Sequence, residues 1–86
     1  MIFIYPVNFY PWEDGIDCTG EVPDLPGCVS EGNDLAEAIF MIKDAATGWI
    51  IDELDSGKES PLPSGIENIK LDEEGFIDLI EFEVNH

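Results

Sequence analysis

Alternation of apolar and polar side chains divides this chain into short strands around one long helix. From Ile2 to Tyr10 the residues are apolar and aromatic, with Phe3, Tyr5, Val7 and Phe9 on one face and Ile2 and Ile4 on the other. Successive strand side chains point to opposite faces, so the run predicts a first strand covered on both sides at its start. Pro6 has no N–H, which places it at a bulge or where the neighbouring strand needs no donor. Past a turn near Trp12-Glu13-Asp14-Gly15, residues Ile16, Cys18, Gly20 and Val22 alternate with Asp17, Thr19 and Glu21, as in a second strand with one wet face. Cys28 to Glu31 predicts a short third strand. Between the two, Pro23-Asp24-Leu25-Pro26-Gly27 supplies the fixed torsions and the glycine that reverse a chain.

Downstream the period changes from two to that of a helix. Asp34 is placed to cap the first turn, and Glu37 follows at the spacing that lets the two side chains satisfy each other's free backbone N–H groups. Leu35, Ala38, Ile39, Ile42, Ala46, Trp49, Ile50 and Leu54 then form one apolar stripe, the face predicted to cover the sheet. Gly48 interrupts it at a cost of about 1 kcal/mol relative to alanine, consistent with a bend or a close backbone contact. Asp55-Ser56-Gly57 ends the helix. A Pro- and Ser-rich connector at 60–64 is expected to be tacked down by Ile66 and Ile69, and Glu73-Glu74-Gly75 turns into a fourth strand. There Ile80, Phe82 and Val84 alternate with Glu81 and Glu83. The order strand, strand, strand, helix, strand is an α+β arrangement with one main helix.

Length and charge narrow the function. A chain of 86 residues makes one small domain, 1–86, that buries only about 60–65% of its unfolded surface. Twenty acidic residues stand against Lys43, Lys58 and Lys70 with no arginine, for a formal net charge of −17. Such a surface repels nucleic-acid phosphates and steers basic proteins towards it, over a range that 0.1 M salt cuts to about 10 Å. Direct nucleic-acid binding is therefore disfavoured; the plainer alternative is that acidity only keeps the protein in solution. Two cysteines, Cys18 and Cys28, and no long apolar span or signal peptide point to a reducing cytoplasm without a membrane. The two cysteines lie several residue pairs apart across the hairpin, so no disulfide is expected. With His86 as the sole histidine they also make a poor zinc site.

The run Val22-Pro23-Asp24-Leu25-Pro26-Gly27-Cys28-Val29-Ser30-Glu31-Gly32, followed by Asn33-Asp34-Leu35-Ala36-Glu37-Ala38, resembles the HicB family of toxin–antitoxin antitoxins. Tyr5-Pro6, Asp14-Gly15, Glu53-Leu54-Asp55-Ser56-Gly57 and Pro61-Leu62-Pro63-Ser64 extend the likeness over nearly the whole chain. The resemblance implies a degenerate ribonuclease H-like fold: a mixed sheet of about four strands, the helix on one face, and the last strand beside the first. It also implies a partner, a small basic HicA-like toxin that cuts messenger RNA with a histidine, and self-association as a dimer or higher homo-oligomer. Members of the family usually continue into an operator-binding domain. This chain departs from that pattern by stopping after Val84-Asn85-His86, and no DNA-binding domain is expected within it.

A nuclease ancestry requires an enzyme reading to be weighed. Ribonuclease H chemistry needs several carboxylates converging on two metal ions. The first strand holds no acid between Met1 and Trp12, Asn8 is the polar residue near its middle, Glu37 is accounted for as a cap and Asp78 as a solvated strand residue. No serine has a histidine base near it in sequence, so no catalytic residue, metal or cofactor is assigned. Binding remains. Glu13, Asp14, Asp17, Asp24 and Glu31 are expected to stand in for RNA phosphates, with Trp12 and Leu25 as apolar anchors, so that the chain covers the toxin's RNA-binding face. The blander alternatives are Trp12 packed on the sheet edge and carboxylates that are ordinary wet surface groups. At the level of the whole chain, the alternative is a stand-alone oligomeric protein of this fold with a regulatory or small-molecule-binding role.

Overall fold

Four strands and one helix form, in the predicted order. The computed structural model describes residues 1–13, 17–69 and 75–85 of the chain. Strand β1 runs Ile2–Pro11, β2 Cys18–Glu21, β3 Val29–Gly32 and β4 Phe76–Glu83; helix α1 is Leu35–Asp55, and a single 3-10 turn, Ile66–Asn68, lies in the connector. Ile16 of the expected second strand and the Glu73-Glu74 turn fall outside the described residues. The sheet order is β3-β2-β1-β4, so the last strand does lie beside the first.

Every pairing in that sheet is antiparallel, which corrects the expectation of a mixed one. The reason lies in the connector. Helix α1 leaves β3 at Gly32, whose partner Cys18 pairs with Pro11 at the end of β1, and β4 begins opposite Phe9 near that same end. Twenty residues, 56–75, separate α1 from β4. They return the chain to the end from which the helix started, so β4 must run against β1.

Strand β1 turns one face to the helix. Tyr5, Val7 and Phe9 are buried beneath α1, and Phe3, Tyr5 and Phe82 stack with centroid separations of 5.9–6.2 Å. Phe9 stacks on Phe76 at 5.5 Å. On the other face the cover expected at the start of the strand is missing, with Ile2 65% and Ile4 48% exposed, whereas Pro6 and Asn8 further along it are buried. Pairing with β4 proceeds residue by residue from Ile2 to Phe9, so no bulge forms at Pro6. Strand β2 pairs only with Asn8–Pro11, which leaves Pro6 without a β2 neighbour that would need its N–H.

Helix α1 starts at the expected cap. The Glu37 N–H donates to Asp34 Oδ1 at 2.7 Å; the return bond from the Glu37 carboxylate goes to the Asn33 N–H at 3.1 Å, one residue earlier than a strict capping box. Ala38, Ile42, Ala46 and Ile50 are buried, with Ile39, Trp49 and Leu54 packed beside them. Leu35, expected on the stripe, is exposed, since the first turn projects past the edge of the short strand β3. Gly48 is exposed with open space around it, and no close contact accounts for it.

The reversing turn at 22–28 is closed by three backbone bonds: Val22 N to Cys28 O (3.0 Å), Leu25 N to Val22 O (3.1 Å) and Cys28 N to Leu25 O (2.9 Å). Gly27 takes φ 82, a torsion that favours glycine. The turn also holds its surroundings. Trp49 Nε1 donates to Pro26 O at 3.0 Å, and Ser64 donates from its N–H (2.9 Å) and hydroxyl (2.5 Å) to the Asp24 carboxylate. The Tyr5 hydroxyl donates to Pro61 O. The connector is thus tied at Pro61 and Ser64, with Ile69 half-buried, whereas Ile66, expected to tack it, is exposed.

Two glycines should answer oppositely to alanine. At Gly48 nothing opposes a methyl group, so Gly48→Ala should raise the urea midpoint, by about 0.5–1 kcal/mol of stability. At Gly32 a Cβ would come closer than 3.0 Å to the Ala38 nitrogen and the Glu37 carbonyl carbon, both backbone atoms that cannot step aside. Gly32→Ala should therefore lose about 1–3 kcal/mol in the same measurement. Burial raises the Tyr5 phenol above its usual 10.0, the Asp24 charge adds to the rise, and a hydrogen bond with the Ser60 side chain opposes it. The unfolded chain then releases this proton first, so stability should fall as pH climbs past about 10. Tyr5→Phe should remove that component of the alkaline loss in pH-dependent melting.

Candidate functional site

The carboxylates expected to meet a partner separate into two groups. Trp12 leaves the end of β1 with its N–H bonded to Asp17 O (2.8 Å) and its indole Nε1 donating to Thr19 Oγ1 (2.7 Å) on β2. That bond stands the ring beside β3 and the first turns of α1. The ring remains 47% exposed. Together with Asp17, Glu31, Gly32, Asn33, Glu37 and Met41 it lines an open cleft of about 390 Å³. Its lining therefore combines three acidic residues with an indole and a thioether.

The chemistry of this cleft is that of a receptor for cations. Asp34 and Glu37 sit at the positive end of the helix dipole, where carboxylates are favoured. Glu37 is engaged in its bond from Asn33, and Glu31 is exposed at the cleft. Neither Glu37 nor Met41 was expected in such a site. Glu37 was accounted for by capping, and Met41 lies off the apolar stripe; only the close approach of α1 to Gly32 brings both over the strand ends.

The remaining candidates have other roles or positions. Glu13 is exposed on the turn after Trp12 but does not line the cleft. Asp24 is half-buried and holds Ser64. Leu25 is 0% exposed, a core side chain with no surface to offer, which corrects its expected use as an anchor. The turn curls inwards, so its one large apolar residue fills the domain. Asp14 and His86 lie outside the described residues. Cys18 and Cys28 are buried and free, and burial pushes both thiols up, away from the reactive thiolate.

The two acids weighed for metal chemistry are held apart. Glu37 lies against the β3 edge and Asp78 is on β4 at the other edge, three strand spacings or about 14 Å away. Among the described residues no group of three or more His, Cys, Asp or Glu side chains is arranged to hold a metal ion. No helix of the described residues is long and apolar enough to cross a membrane.

Comparison with known proteins bears on this surface. The sequence profile of the HicB-like antitoxins of bacterial toxin–antitoxin systems matches residues 5–85. An uncharacterised 14.9 kDa protein from the rep–hol intergenic region of Haemophilus phage HP1 is 36% identical over 64 residues, 74% of this chain but 47% of its own length. The fold is similar to a toxin–antitoxin complex from Streptococcus pneumoniae, with TM-score 0.82 and 24% identity over 96% of this chain and 70% of that one. It is also similar to the HicA3–HicB3 toxin–antitoxin complex, with TM-score 0.72 and 26% identity over 94% of this chain and 99% of that one. The amino-terminal domain of Burkholderia pseudomallei antitoxin HicB aligns with TM-score 0.74 and 20% identity, over 95% of this chain and all of that domain.

Exchanging the two apolar candidates separates a core role from a surface role. Leu25→Ala should cost about 2–5 kcal/mol in chemical denaturation, as for a buried leucine. Trp12→Ala should cost about 1 kcal/mol or less, since half of the ring faces solvent and one hydrogen bond is lost.

Proposed function

Because the chain belongs to the HicB-like antitoxins of bacterial toxin–antitoxin systems, we propose that it neutralises a small basic HicA-like toxin by covering the toxin's RNA-binding and active face. The supporting observation is the cleft at the end of the sheet, lined by Asp17, Glu31 and Glu37 together with Trp12 and Met41. A basic surface that ordinarily holds an RNA backbone meets carboxylates there in place of phosphates. The indole and thioether supply the desolvated centre that carries most of the energy in such interfaces, while the charges chiefly raise the rate of encounter. A net charge of −17 extends that steering field beyond the cleft.

Membership of an antitoxin family points to a role without catalysis. The proposed action asks for none: a bound toxin is inactive because its substrate cannot approach. The reading places the chain in the cytoplasm, where messenger RNA is cut, and leaves operator binding to other segments or proteins. It also excludes cofactor and metal dependence.

The test is binding to a purified HicA-like toxin. Asp17→Lys combined with Glu31→Lys should slow association about tenfold at low ionic strength and much less at 0.5 M salt, with dissociation little altered. Equal association rates at both ionic strengths would rule out the electrostatic part. RNA incubated with the purified chain and magnesium or manganese should stay intact; a cleavage product abolished by Glu37→Gln would overturn the non-catalytic reading.

A further inference from the structure

Strand β4 is an edge of the sheet, and one side of its backbone has no neighbouring strand among the described residues. The Met1 nitrogen donates to Val84 O at 2.9 Å and the Val84 N–H returns to Met1 O at 2.8 Å, so these two residues form a pair that exchanges both bonds. Such pairs alternate along an antiparallel ladder, which assigns Phe82, Ile80, Asp78 and Phe76 to bonding with β1. The N–H and C=O groups of Ile77, Leu79, Glu81 and Glu83 therefore point away from β1 along the free edge. Sheets usually guard such a row with proline, lysine, a bulge or a covering segment. Strand β4 pairs without interruption over its 8 residues and contains neither proline nor lysine. The opposite edge, β3, has only 4 residues, and its end at Gly32 lies against α1.

The free edge of β4 is complementary to itself. An antiparallel copy laid along it with Ile80 on the two-fold axis sets Leu79 opposite the partner's Glu81 and Ile77 opposite the partner's Glu83, each pair exchanging two backbone bonds. No carboxylate then directly opposes another, an arrangement that would be destabilising. An axis at Leu79 also avoids such a clash but leaves Glu83 without a strand residue opposite it, and an axis at Glu81 sets Glu81 against itself. On the face turned to α1, Ile80 meets its own copy and Asp78 meets the partner's Phe82. That second pairing brings in a cation, because Phe82 lines a cleft of about 360 Å³ together with Phe40, Lys43, Asp44 and Thr47 of α1. The exposed Asp78 of each copy thus arrives beside Lys43 of the other. The same added strand covers the ring of Phe40, which is 68% exposed in the single chain.

We propose that β4 is a self-association edge: two copies of this chain join through it into one continuous antiparallel sheet, with Ile80 on the two-fold axis and Lys43 paired to the partner's Asp78. This goes beyond the toxin reading and does not depend on it. The cleft with Trp12 and Glu31 lies by β3, at the other edge of the sheet, so the two contacts do not compete. A charge of −17 on each copy opposes the union at long range. Salt screens that distant repulsion more than it weakens pairs in contact, so the dimer tightens as ionic strength rises, the reverse of a contact between opposite charges.

Sedimentation equilibrium of the purified chain at about 0.05 and 0.5 M salt tests this, and the dissociation constant of the dimer should fall about tenfold between the two. Asp78→Lys lowers the net negative charge, yet it should weaken the dimer about tenfold because it sets two cations together. Lys43→Glu should weaken it as well, and the double variant, whose net charge equals that of the unaltered chain, should recover most of the loss. Both side chains are exposed, so the urea midpoints should stay where they are. Leu79→Pro deletes one outward N–H while sparing the bonds to β1, and should also weaken the dimer; if that variant does not fold, the charge exchange decides. A chain that is monomeric at both salt concentrations, a dimer that loosens as salt rises, or a double variant that recovers nothing overturns the proposal. So does a chain that is monomeric alone but whose Leu79 and Glu81 amides become protected from hydrogen exchange on adding a purified HicA-like toxin, since the edge then belongs to that protein.

Discussion

Burial of Leu25 at the tip of an inward-curled turn is the constraint on which the remainder of this structure depends. Turns ordinarily sit at the surface, because their backbone groups need water. Here three internal hydrogen bonds close residues 22–28, and the turn carries its leucine into the core at 0% exposure. Once that side chain is inside, its neighbours are fixed in turn. Pro26 O meets the indole of Trp49 and so aligns the helix, and Asp24 meets Ser64 and so anchors the connector. The Pro-Asp-Leu-Pro-Gly run thus organises the fold.

Such a fixing point matters more in a domain this small and this acidic. A chain of 86 residues has little surface to bury, and −17 of net charge adds self-repulsion to the folded state. The sheet also packs its helix on one face only. Helix α1 covers the side with Tyr5, Val7 and Phe9, and the other side keeps Ile2, Ile4 and Leu79 in contact with water. A marginal domain that leaves Ile2, Ile4 and Leu79 exposed is one whose stability rises when a complementary surface covers them.

Much of the architecture was legible in local pattern. The period-two alternation of β1 and β4, the Asp34 cap, the helical stripe from Ala38 to Leu54 and the Asp55-Ser56-Gly57 stop each follow from short-range stereochemistry and appear where expected. The site was read less well. Trp12, Asp17 and Glu31 do share a cleft, but Asp24 and Leu25 belong to the scaffold, and Glu37 and Met41 joined from a helix whose approach to β3 depends on Gly32 having no side chain. Nothing in the neighbourhood of Met41 in sequence marks it for a surface that strands also build.

What the sequence determined by itself is therefore the list of elements, their order and the sign of the chain's own charge, because these depend on residue type and spacing over a few positions. Only the tertiary structure decided the antiparallel course of β4, the inward turn of Leu25 and the exposure of Ile2 and Ile4. Each of those depends on which distant segment arrives at a given place. One helix can cover only one side of a four-stranded sheet, and a twenty-residue connector sets the direction in which the last strand returns.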